Sequence, residues 1–163
     1  MSCEQVIQSI QKLVNYHEQL KKVSVEKTEV IKSGNMDGIQ PMLAKEKMLS
    51  QYIEKEEAIR VNQVEEWFVS RQLPPEIDRT ITNMLERLQG NEQAALEKIT
   101  TNLTYLIKDI KEQEHLNHGL IQQSLQFVHM SLHMLQPSIQ QMNYGKKNTQ
   151  TPHVKRSVFD SKA

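Results

Sequence analysis

The sequence predicts an all-α protein, an elongated antiparallel helical bundle, coiled-coil-like, of three long helices plus a short one with a flexible C-terminal tail. Three observations predict it. Gln, Glu, Lys, Leu, Ile and Met dominate the 163 residues, and these side chains lose little rotamer freedom in a helix. Five glycines and five prolines leave few places to turn, so the helices are few and long. Apolar residues recur at alternating steps of three and four, the period of a narrow helical seam rather than of a strand.

The first helix is expected from about Cys3 to Lys32, with Ser2 and Gln5 at capping-box spacing. Its seam is Val6, Ile10, Leu13, His17, Leu20, Ser24, Lys27 and Ile31, widened by Ile7, Val14 and Val23. The seam turns polar toward its end. Ser33-Gly34-Asn35 breaks the pattern, with Gly34 suited to a left-handed helix end. Asp37 is the expected N-cap of the second helix, which carries Pro41 in its first turn and reaches about Arg71. Its seam of Ile39, Met42, Leu43, Leu49, Ile53, Val64, Trp67 and Phe68 is interrupted by Glu46, Glu56 and Arg60, and Glu56 and Arg60 are spaced as an i,i+4 pair. A short connection between two long helices implies an antiparallel hairpin.

Pro74-Pro75-Glu76 marks the next helix start, since proline at the first helical position is pre-organised. The stripe continues through Ile77, Ile81, Met84, Leu85 and Leu88 to a kink or break at Gly90-Asn91, then resumes from Leu96 to Leu135. Pro137 ends the periodicity. The bundle is therefore expected over residues 1–136 and a flexible tail, with little to bury, over 137–163.

Charge is placed unevenly. Residues 1–114 carry 15 Lys/Arg and 19 Asp/Glu, and residues 146–163 carry five basic residues and one acid, so the whole chain is neutral. The 31 residues between them, 115–145, carry no charge of either sign. A solvated helix normally uses Glu and Lys on its outer face; this one has Asn, Gln, Ser and His. Its apolar residues, among them Leu116, Leu120, Ile121, Leu125, Phe127, Val128 and Leu132, cover more than the single face needed to pack on one hairpin. Three readings stand open: a central helix buried within its own bundle, a seam for self-association into a homo-oligomer, and a docking face for another protein's amphipathic helix. Met130, Met134 and Met142 favour the third, because flexible thioethers adapt to more than one partner.

The chemistry of an enzyme is absent from the pattern. No glycine-rich phosphate loop and no CxxC occur, and Cys3 is the only cysteine, so no intramolecular disulfide forms and no redox pair exists. His129 and His133 lie one turn apart, and Glu112 and His115 have Glu-x-x-His spacing, but a helical di-metal site needs a second such motif and further glutamates. No metal and no cofactor are expected. Neutral overall charge and a sparse basic tail argue against nucleic acid. No run reaches the roughly eighteen apolar residues of a membrane span, and no signal peptide opens the chain, so the expected location is the cytoplasm.

The stretch from Leu116-Asn117-His118-Gly119-Leu120 through Gln122-Gln123-Ser124-Leu125-Gln126-Phe127 resembles the C-terminal helix of the FlgN family of flagellar export chaperones. Tyr144-Gly145 and the ending Phe159-Asp160-Ser161-Lys162-Ala163 are similar to Gram-positive members, and Glu26-Lys27-Thr28 through Glu57-Ala58-Ile59-Arg60 resembles the family's first hairpin. The resemblance implies a cytosolic type III export chaperone for the hook–filament junction proteins FlgK and FlgL. It implies that their C-terminal helices bind the chaperone's C-terminal region; on the uncharged helix the expected contact is Leu116, Leu120, Ile121, Leu125, Phe127, Val128 and Leu132. It also implies delivery to the export-gate protein FlhA, with Tyr144 matching the family's gate-contacting tyrosine. The rival reading is a structural, self-associating coiled-coil protein.

Overall fold

The computed structural model describes residues 3–144, with side chains described through Leu135. Among the described residues the regular structure is helical: α1 (Cys3–Ser33), one 3-10 turn (Met36–Gly38), α2 (Ile39–Ser70), α3 (Ile81–Leu85) and α4 (Gly90–Tyr144). Three are long and one is short. They divide into two compact units, the first ending at Gln123 and the second starting at Ser124.

In α1 the expected seam is the buried stripe, with His17 and Leu20 only half-buried and Cys3, Ser9 and Thr28 added to it. The helix stops where Gly34 turns to φ 71°, which no β-carbon opposes, and its N–H bonds the Ile31 carbonyl at 3.2 Å. Asp37 is not the N-cap of α2: Gly38 stands there without a side-chain cap bond. Asp37 lies inside the 3-10 turn before α2, and the cap of that turn is Asn35, whose side chain accepts the Asp37 N–H at 3.2 Å. Asn35 holds extended dihedrals, as a cap must. Pro41 lies in the first turn of α2, where a missing N–H is harmless.

The hairpin is antiparallel. Ser9 donates to Gln63 at 2.7 Å near one end, the Tyr16 and Tyr52 rings lie 5.6 Å apart, and Lys27 reaches Glu46 at 2.6 Å near the other. The expected Glu56–Arg60 pair does not form. Glu56 faces α1, buried, with its carboxylate 3.4 Å from the Lys12 ammonium, while Arg60 takes Glu57 instead, Nε to Oε2 at 2.7 Å. Glu56 is turned inward by the same helical stripe that buries Leu49 and Val64, and Arg60 meets the neighbour on its own side.

Residues 74–80 are a third departure: no helix starts at Pro74-Pro75-Glu76. A proline disfavours the helical region for the residue before it, so Pro75 holds Pro74 out of a helix. Gln72 adopts φ 54°, a tight turn bonds the Ile77 N–H to the Pro74 carbonyl at 3.2 Å, and Arg79 is held by Glu65 at 3.0 Å. The helix starts later, at Thr80, whose hydroxyl oxygen accepts the Asn83 N–H at 3.1 Å. Gly90, at φ 67°, breaks the chain as its neighbours implied, and α4 begins there. That helix passes through Pro137, where the apolar period stops, and ends at Tyr144. Ser2 and residues 145–163 of the expected tail lie outside the described residues.

α4 runs in the same direction as α1: Lys21 pairs with Asp109 at 2.7 Å, and further along Asn117 donates to the Ser24 carbonyl at 3.0 Å. The apolar core lies toward one end of the first unit, where Cys3, Val6, Ile10, Val64, Trp67, Phe68, Met84, Leu88 and Leu96 cluster. Burial drives the Cys3 thiol up to about 11, with the Glu92 carboxylate adding to the rise and Arg71 opposing it. The unfolded chain therefore loses this proton first as pH rises. The thiol's contribution to stability is whole below the free-thiol range of roughly 8.5 and falls progressively up to about 11. Urea midpoints are expected to drop more between pH 8 and pH 10.5 in the wild type than in Cys3→Ala. Equal drops in the two would assign the effect to other groups.

Candidate functional site

The first unit's far end is polar, and that decides where α4 stops being covered. Ser24, Lys27 and Thr28 occupy seam positions of α1 and are buried. Asn117, 1% exposed, lies against them, donating to Ser24 and accepting from the Thr28 hydroxyl, which in turn accepts from Gln113. Lys27 bridges three helices, its ammonium 2.6 Å from Glu46 of α2 and 3.0 Å from Glu114 of α4, and the Ser24 hydroxyl also donates to Glu114. Burial alone would lower the Lys27 pKa; its hydrogen bonds to Glu46 and Glu114 outweigh this and hold it above the ordinary lysine value. Nearly every polar group here is matched, so the layer continues the register that Val14, Leu106 and Ile110 set by apolar contact between α1 and α4.

Of these residues, Ser24 and Lys27 stand in the expected seam of α1 at positions where an apolar residue is usual, which signals a polar layer but leaves its partners on α4 open.

Beyond Asn117 the character of α4 changes. Leu116 and Ile121 are exposed, and Leu120 is half-buried; these three belong to the first unit. Leu125, Phe127, Val128 and Leu132, in the second unit, are each more than half exposed, as are Met130 and Met134. The expected site residues therefore share one continuous helix, and most of them meet solvent. Tyr144 is the last residue of α4, and its side chain lies outside those described. Internal burial of this stretch, one of the three open readings, is not what the described residues adopt.

Some of the polar side chains here bond along the same helix. Gln122 donates to His118 at 3.0 Å and the Ser131 hydroxyl to the Phe127 carbonyl at 2.9 Å. Glu112 of the Glu-x-x-His pair lies 3.8 Å from Lys108, and no group of three or more metal-ligating side chains occurs among the described residues. A cleft of about 500 Å³ in the first unit is lined by Leu13, His17, Arg60, Arg79 and Leu103, and both its cations already hold a carboxylate, Glu57 and Glu65. What the exposed stretch offers is non-covalent: apolar area with no charge to desolvate, where each Å² covered stabilises by about 25 cal/mol.

No described helix is long and apolar enough to cross a membrane. No solved structure matches the chain. The family model described as FlgN protein matches residues 1–152. A protein of Bacillus subtilis (strain 168), named only as uncharacterized protein YvyG, is 30% identical over 165 aligned positions that cover 100% of both chains. A helical hairpin, a third long helix with an uncharged, solvent-facing stretch, and a family match over nearly the whole chain agree: this protein belongs to the FlgN family of flagellar export chaperones.

Proposed function

We propose that this protein is a cytoplasmic type III export chaperone that binds the C-terminal helices of the hook–filament junction proteins FlgK and FlgL and delivers them to the export gate, FlhA. The observation that carries this reading is the exposure of Leu125, Phe127, Val128 and Leu132 on an uncharged stretch of α4. Apolar side chains left in water on a chaperone are surface held ready for a client, and an amphipathic client helix laid on them shields its own apolar face from premature assembly. Leu116, Leu120 and Ile121, earlier on the same helix, are proposed as part of the contact. Tyr144 is proposed as a separate contact with the gate protein, reached after the client is bound. Release by competition at the gate needs no nucleotide.

Calorimetry of the full chain against C-terminal segments of FlgK and FlgL tests the contact. Leu125→Glu and Val128→Glu each place a charge where the client covers apolar surface, and each is expected to weaken binding about 100-fold. Both positions are exposed, so helix content by circular dichroism should stay at the wild-type value. Wild-type affinity in both folded variants would remove this face from consideration.

A further inference from the structure

Within the second unit the exposed side chains do not form one face. Taking about 100° per residue, Leu125, Val128, Leu132 and Leu135 share one stripe, spaced three and four apart, and Phe127, Met130 and Met134 share another, spaced the same way. The two stripes are centred roughly 150° apart on the helix. All seven side chains are more than half exposed. The sides between the stripes are polar: Ser124 and Ser131 on one, Gln126, His129 and His133 on the other.

A partner helix packing by ridges and grooves covers a stripe on the order of 100° wide. One such helix on Leu125, Val128 and Leu132 leaves Phe127 and both methionines in water, and the reverse also holds. We infer that the client contributes two helices, which clasp this segment of α4 from two sides. The inference rests on the chaperone reading proposed above and sharpens what the client must supply.

Charge narrows the occupant further. Residues 115–145 carry no Asp, Glu, Lys or Arg, so the segment has no opposite charge to pair with a charged flank. Any Lys, Arg, Asp or Glu beside the partner's apolar seam would be desolvated without compensation. The two partner helices are therefore amphipathic with uncharged margins, and α4 becomes the central helix between them. Ser124 and Ser131 are small, which lets both partner helices approach on that side. The Ser131 hydroxyl is already bonded back to the Phe127 carbonyl, so covering it breaks no bond to water that α4 needs.

The test uses the full-length chain and the FlgK C-terminal segment, with affinity from calorimetry and stoichiometry from sedimentation equilibrium. Leu125→Glu probes the first stripe, Met130→Glu the second, and His133→Glu a polar side, as a control for adding a charge to the same helix. Both stripe variants are expected to lose at least tenfold in affinity, the control less than threefold, in a complex of one chaperone with one client. Loss confined to one stripe would overturn the two-helix clasp while leaving the docking reading intact. Loss on both stripes in a complex of two chaperones with one client would overturn it too, since a second copy of this chain would then occupy one side. Wild-type affinity in all three variants would instead sink the proposed function itself.

Discussion

Trp67→Ala is expected to destabilise the fold by about 3–5 kcal/mol. Trp67 is wholly buried, meets Phe68 edge to face with ring centroids 5.0 Å apart, and is covered by the Arg71 guanidinium 4.4 Å from its ring. It sits in the cluster that joins α1, α2, α3 and the start of α4, so no single helix can shift to fill the void. A domain of this kind is stable by roughly 5–15 kcal/mol, and the variant should unfold at much lower urea concentration, followed by circular dichroism because the fluorophore is gone. Trp67→Phe separates two contributions. The indole N–H has no hydrogen-bond partner among the described residues, and removing a buried unpaired donor recovers about 1–3 kcal/mol that offsets part of the lost volume. Phenylalanine should therefore cost clearly less than alanine. Equal costs would mean that the indole nitrogen is paired in solution.

Lys27→Met is expected to cost about 2–4 kcal/mol although methionine nearly matches lysine in shape. The ammonium is the only cation described between Glu46 and Glu114, and without it two carboxylates from different helices face each other beside Ser24. Glu114 is partly exposed, which keeps the loss below that of a fully buried pair. The triple variant Lys27→Met, Glu46→Met, Glu114→Gln removes the charges together and should regain most of the stability, since a buried ion pair replaced whole by fitting neutral side chains is close to neutral. Urea unfolding of the three proteins checks both statements. A single variant as stable as wild type would show that the layer does not hold α4 to α1. A triple variant no better than the single would show that shape, not charge, sets the cost.

How much of this was legible beforehand depends on where the deciding group sits in the chain. Gly34 and Gly90 break helices through their own left-handed dihedrals, and the seam of α1 follows from the spacing of its own residues, so both could be read locally. Asp37 fell inside a 3-10 turn capped by Asn35 and left Gly38 at the N-cap of α2, a choice among neighbours that composition leaves undecided. Pro74-Pro75 looked like a helix start, and the start moved to Thr80, with Arg79 held by Glu65 from a helix well upstream. Arg60 could pair with either neighbouring glutamate, and the choice fell to Glu57 because Glu56 is drawn inward toward Lys12.

The candidate site divides in the same way. Its uncharged character, its methionines and its helical period are properties of residues 115–145 alone, and the sequence determined them together with the helical class. Whether that apolar surface is covered or open was not a local property. It depends on how far α1 and α2 accompany α4, and that follows from the end of α1 at Ser33 and from its register on α4, where Val14 packs on Leu106 and Ile110, and Ser24, Lys27 and Thr28 meet Gln113, Glu114 and Asn117 some ninety residues later in the chain. Polar groups buried there are stable only where donors and acceptors match in three dimensions, so tertiary structure alone could set the register that leaves Leu125 through Met134 facing solvent.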